Sequence, residues 1–130
     1  MAHPTEDQEW VDARIESWVE TYKKSMLTPV ILRVVADQQP VTVAGIAAAV
    51  GSATGWRITE RSLYRTLKRL QESGFLFGTD VDAPRTGAKR KEISLTPVGA
   101  QFLDGVNASI VSLGPSPAAK RAPDRAENPD

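Results

Sequence analysis

Val11, Ile15, Trp18 and Tyr22 recur at spacings of four, three and four residues, which is one stripe of a helix with 3.6 residues per turn. Trp10 and Val19 flank the stripe, acids crowd its first turns, and Lys23 and Lys24 stand at its end, in keeping with the helix dipole. An amphipathic helix is predicted from about Glu6 to Lys24. In "LTPVILRVVADQQP", Thr28 offers a cap, Pro29 suits a first helical position and Pro40 enforces a stop, so a second, short and mostly buried helix is expected. "VTVAGIAAAVGSATG" supplies Thr42 as a cap and a small-residue helix through about Val50, with Gly51 and Gly55 to end it. Its Ala-rich face implies close approach to a neighbouring helix. In "ITERSLYRTLKRLQESGF" the apolar Leu63, Leu67 and Leu70 turn inward, Thr59 is the expected N-cap, and Gly74 stands where a left-handed cap belongs. That helix should span about Glu60 to Ser73.

Beyond it, "FLFGTDV" and "RKEISL" read as strands separated by the turn-rich "DAPRTGA", a β-hairpin. "TPVGAQFLDGVNASIVSLG" begins with Thr96 as cap and Pro97 at the first helical position, and carries Val98, Phe102, Leu103, Val106 and Ile110 at helical spacing. A closing helix should end near Leu113. Residues 114–130 hold four prolines and no large apolar side chain, so burial cannot offset their ordering entropy and disorder is expected. The order is mainly helical with one small hairpin. Three helices followed by a hairpin form a winged helix-turn-helix, whose third helix enters the DNA major groove while the hairpin lies along the backbone. Here an extra helix precedes that core and another follows it. The divisions are residues 1–24 for the acidic helix, 25–95 for the winged-helix DNA-binding domain, 96–113 for the last helix and 114–130 for the tail.

Charge adds what periodicity does not carry. The chain as a whole is neutral, with 16 basic and 16 acidic residues among 130, but the signs are separated. Glu6, Asp7, Glu9, Asp12, Glu16 and Glu20 face Arg14 alone in the first helix, whereas nine cations face five acids between residues 56 and 95. Arg61, Arg65 and Arg69 stack at i, i+4 and i+8 with Lys68 beside them, and Arg85, Lys89, Arg90 and Lys91 cluster at the hairpin tip. A recognition helix must offer long donors to phosphates and base edges, and Arg57, Thr59, Ser62 and Thr66 could add contacts. A solvated basic face would explain one such helix, but two basic elements in the docking geometry of one fold favour DNA.

Other chemistry finds little support. The chain has no cysteine, which excludes disulfides, thiol catalysis and thiolate metal sites and is compatible with a reducing cytoplasm. His3 is the sole histidine and has no second ligand near it, so neither a metal site nor a catalytic assembly is expected, and no cofactor. "GSATG" lacks the Lys and preceding strand of a phosphate-binding loop. The apolar runs are far shorter than the ~20 residues that span a bilayer, and "MAHPTEDQEW" does not resemble a secretion signal. Trp10, Trp18 and Tyr22 could wall a pocket for a planar ligand or serve as packing anchors in a dimer or core; Trp56 reads as a lid on the core.

"LYRTLKRLQESGFL" followed by "GAKRKEISLTPVGAQFL" closely resembles the PadR-like transcriptional regulators. Tyr64, Leu67, Lys68, Leu70, Gly74, Gly87, Arg90, Lys91, Leu95, Thr96 and Gly99 match that family's pattern in place, and the resemblance extends over about residues 27–103. It departs at "VTVAG", where members carry a His-Gly-Tyr-like stretch, and at Glu92 and Ile93, where aromatics are usual. The resemblance implies a cytoplasmic homodimer that represses transcription from double-stranded DNA and is released in some members by a small aromatic or drug-like ligand. It also implies dimerisation through the C-terminal helix, Thr96 to Leu113 here, assisted by the N-terminal one. Two recognition helices about 34 Å apart would read a pseudo-palindromic operator. The alternative is a winged-helix interaction module whose basic face docks on an acidic protein partner.

Overall fold

The computed structural model describes residues 5–82, 87 and 89–113. The expected disorder of the tail, His3 and Arg85 therefore lie outside the described residues. Its elements are α1 (Glu6–Gln38), β1 (Val41–Thr42), α2 (Val43–Thr54), α3 (Glu60–Glu72), β2 (Leu76–Asp82), β3 (Lys89–Leu95) and α4 (Pro97–Ser109). This is the mainly helical, winged helix-turn-helix order expected, with three corrections.

The first two predicted helices are one. α1 runs unbroken through Thr28 and Pro29, so Thr28 caps nothing and Pro29 sits in a helix interior, where it removes one backbone hydrogen bond and costs about 3 kcal/mol. Burial on its C-terminal side outweighs that cost. Pro29, Ile31, Leu32, Val34 and Val35 are all buried, and each large apolar side chain contributes about 1.5–3 kcal/mol. Before Pro29, Tyr22 meets Trp56 edge-on at 6.1 Å, and half-buried Leu27 packs on the core.

The second correction is a third strand. Val41 and Thr42 pair antiparallel with Ile93 and Glu92, giving a sheet of order β1-β3-β2. A two-residue strand is too short to leave a periodic signature. Thr42 still caps α2, accepting from the Gly45 N–H at 3.1 Å, and α2 continues past Gly51 to Thr54, with Gly55 left-handed at its end. The third correction is at α4, which stops at Ser109. Val111 and Leu113 are 76% and 91% exposed, so no burial draws the helix further.

Thr96 ties the end of the recognition helix to the last helix. Its hydroxyl donates to the Gly74 carbonyl at 2.6 Å and accepts from the Gly99 N–H at 2.9 Å, while its own N–H donates to the Phe75 carbonyl at 3.0 Å. Gly74 has φ +84°, and the Phe75 and Gly74 N–H groups donate to the Leu70 and Gln71 carbonyls, the bond pattern that closes a helix through a left-handed residue. A Cβ at Gly99 would run into the Phe75 carbonyl and Leu95 Cδ1. The spacing Leu-Thr-x-x-Gly is thus a packing device, and the stacked Phe75 and Phe102 rings cover the junction at 4.5 Å.

Gly99→Ala should lower stability by about 1–3 kcal/mol, as overpacking does. Gly105→Ala, in the same helix with nothing within 4 Å of its Cβ position, should raise it by up to about 1 kcal/mol. Thermal unfolding of both variants measures the contrast.

Candidate nucleic-acid interface

The interface begins with the rotation of α3. Leu63, Leu67 and Leu70 lie in the core cluster with Ile31, Leu32, Val35, Ile46 and Val50. At about 100° per residue, fixing these three inward turns Arg61, Arg65, Lys68 and Arg69 outward, and all four are exposed. Thr59 caps the helix, accepting from the Ser62 N–H at 3.1 Å, with Glu60 in the first turn and Arg69 in the last. Thr66, a candidate contact in the sequence, is buried at 5% exposure on the core side of the helix and is not available to DNA.

One flank of α3 forms a groove of about 710 Å³ with the start of α2 and with β3. Lys68 from α3 and Lys89, Arg90 and Lys91 from β3 line it, over a floor that includes Leu67 and Ile93. The stem of Lys91 lies across Gly78 of β2, its Cδ 3.0 Å from where a Cβ would stand. Two independent basic elements of the sequence therefore converge on one concavity. Across the hairpin, Asp80 and Asp82 are register partners of Lys91 and Lys89. Among the described residues the ion pairs are Arg33–Asp37 and Arg90–Glu92, at 3.2 and 3.3 Å. The second engages a groove cation, with the Arg90 side chain exposed and that of Glu92 half-buried.

The groove also contains Tyr64, 54% exposed, Gln71 and Thr42, none of which the sequence singles out as a contact. Tyr64 and Gln71 sit about two helical turns apart on the wing side of α3, and only the position of β3 makes that side concave. On the opposite flank, Arg57, Thr59 and Ser62 line a second groove with Lys23 and Lys24 of α1.

The aromatic residues considered for ligand binding are placed on the outer part of α1. Trp10 and Trp18 are 61% and 67% exposed, so they are not core anchors of this chain. Trp18 stacks on Tyr22 at 5.6 Å, and the Arg14 guanidinium lies 5.0 Å from the Trp10 ring. Trp56 is half-buried and braces α1 through Tyr22 instead of covering the core. Trp10, Trp18 and Tyr22 line neither of the two grooves beside α3.

The family model described as "Transcriptional regulator PadR-like family" matches residues 31–105. No curated protein matches the chain significantly. Among solved structures it is similar to a PadR-like transcription factor from Bacteroides fragilis, at 27% identity and TM-score 0.61, over 72% of this chain and 87% of that one. A PadR family transcriptional regulator from Eggerthella lenta aligns at 21% identity and TM-score 0.65, over 77% and 85%. Bacillus subtilis PadR, solved in complex with operator DNA, aligns at 19% identity and TM-score 0.59, over 70% of this chain and 50% of that one.

Proposed function

The chain belongs to the PadR-like family of transcriptional regulators, and from that membership we propose that it is a cytoplasmic, homodimeric, DNA-binding repressor released by a small aromatic effector. The observation that carries the DNA-binding part is the groove in which Lys68 of the recognition helix meets Lys89, Arg90 and Lys91 of the wing. In this reading α3 lies in the major groove. Arg61, Arg65 and Arg69 present guanidinium forks that suit guanine edges and phosphates bidentately, and the wing cations neutralise the adjacent backbone. The shared fold of Bacillus subtilis PadR, a protein solved on its operator, supports the same docking.

Dimerisation is supported by apolar surface that this chain does not cover itself. Trp10, Val11, Ile15, Trp18 and Tyr22 on α1, Val98 and Phe102 on α4, and Ile110 just past its end, are exposed. Large apolar side chains recurring along one helix face and left uncovered mark an association surface. Two copies joined through it would present two α3 helices to successive half-sites of a pseudo-palindrome. The stacked Trp18 and Tyr22 rings, enclosed by a second copy, would give an effector planar walls, and an effector favouring one dimer geometry would shift the spacing of the helices and release the operator.

Lys89→Ala should weaken binding nearly equally on all sequences and lower the slope of log K against log salt by roughly one per protomer. Arg65→Ala should reduce discrimination between operator and random duplex by about 1–3 kcal/mol. Fluorescence anisotropy at several salt concentrations separates the two. Ile15→Asp combined with Trp18→Asp should convert a dimer into a monomer in sedimentation equilibrium, and a monomeric unaltered chain would contradict the assembly.

A further inference from the structure

The recognition helix has a second concave flank. On the side of α3 turned away from the wing, a groove of about 310 Å³ is lined by Glu20, Lys23 and Lys24 of α1, by Trp56 and Arg57 of the preceding loop, and by Ser62. Lys23, Lys24 and Arg57 thus converge from two separate elements. Among the described residues none of them pairs with a carboxylate. Glu20 is the one acid in the lining, so the groove keeps an excess of positive charge.

The charge pattern of α1 changes at this groove. Six acids and one arginine occupy the helix up to Glu20; from Lys23 onward no acid occurs until Asp37. The change falls where α1 passes the segment leading into α3. Trp56 joins the two elements, its ring edge-on to Tyr22 at 6.1 Å, while its backbone N–H donates to Thr54 Oγ1 at the end of α2 at 3.0 Å. The lysines are therefore carried by a long helix anchored in the core and braced beside Arg57.

A helix seated in a major groove about 12 Å wide has a sugar–phosphate rim on each side. The groove between α3 and β3 supplies cations for one rim. We infer that Lys23, Lys24 and Arg57 form a phosphate clamp for the other, so that α1 and the wing grip the duplex from both sides of α3. The inference rests on the DNA-binding reading of α3. It extends that reading to Lys23 and Lys24, which lie outside the segment shared with the family, since the family match begins at residue 31.

The test is the salt dependence of binding to a random-sequence duplex, with the whole chain. Loss of two phosphate contacts in Lys23→Ala/Lys24→Ala should lower the slope of log K against log salt by about 1.8 per protomer. Thermal unfolding should stay unchanged, because Lys24 is exposed and Lys23 is only half-buried. Lys23→Arg/Lys24→Arg should restore the slope, which a merely structural role would not require. A double-alanine variant with unaltered slope and affinity, beside a Lys89→Ala control whose slope falls, would overturn the clamp and leave the α3 reading standing. A lowered slope that arginine does not restore would also overturn it. Failure of the unaltered chain to bind the duplex in a salt-dependent way would overturn both.

Discussion

Leu63, Leu67 and Leu70 are no more than 4% exposed, and their burial, about 1.5–3 kcal/mol for each leucine, sets the rotation of α3 about its own axis. Every outward feature follows from that rotation. Arg61, Arg65 and Lys68 project to solvent because the leucines face the core, and Tyr64 and Gln71 face the wing for the same reason. A change that loosened the leucine stripe would disturb binding without touching a cation. Solvent-facing arginines on a rigid helix lose less conformational freedom on contact than the same residues on a loop, which is why such sites favour regular elements.

Orientation of the wing relative to α3 comes from a few contacts at the base of the hairpin. Thr96 holds Gly74, Phe75 and Gly99 together, and Gln39 at the end of α1 accepts from the Leu95 N–H at 2.7 Å. The pairing of Val41 and Thr42 with β3 then joins the start of α2 to the wing. Helix, sheet and wing share one frame, so the groove lined by Lys68 and Lys89–Lys91 is a property of the core as much as of its cations.

Elements with strong periodicity or caps were legible in the sequence. Thr42, Thr59 and Thr96 all cap as expected, and the leucine spacing gives α3 within a residue of its observed limits. What escaped depended on tertiary context. Local rules favour a break at Thr28 and Pro29, and only the burial of Ile31, Leu32 and Val35 against the rest of the domain overrides it. β1 exists because β3 offers it an edge. At the interface, the cations were legible as residue types at helical and hairpin positions. The two grooves were not, since each forms between elements distant in sequence. Lys23 and Lys24 carried a local explanation, the helix dipole, that concealed their position beside Arg57.

In the proposed docking, α3 occupies a major groove of operator DNA. Duplexes selected by the protein from a randomised pool, then probed by guanine N7 methylation interference, test it most directly, because N7 lies in the major groove alone. Such docking should yield an enriched pseudo-palindrome in which methylation blocks binding at two patches about one helical turn apart, with Arg65→Ala relieving the block at its own position. Absence of any enriched sequence, or binding indifferent to N7 methylation throughout, would contradict it.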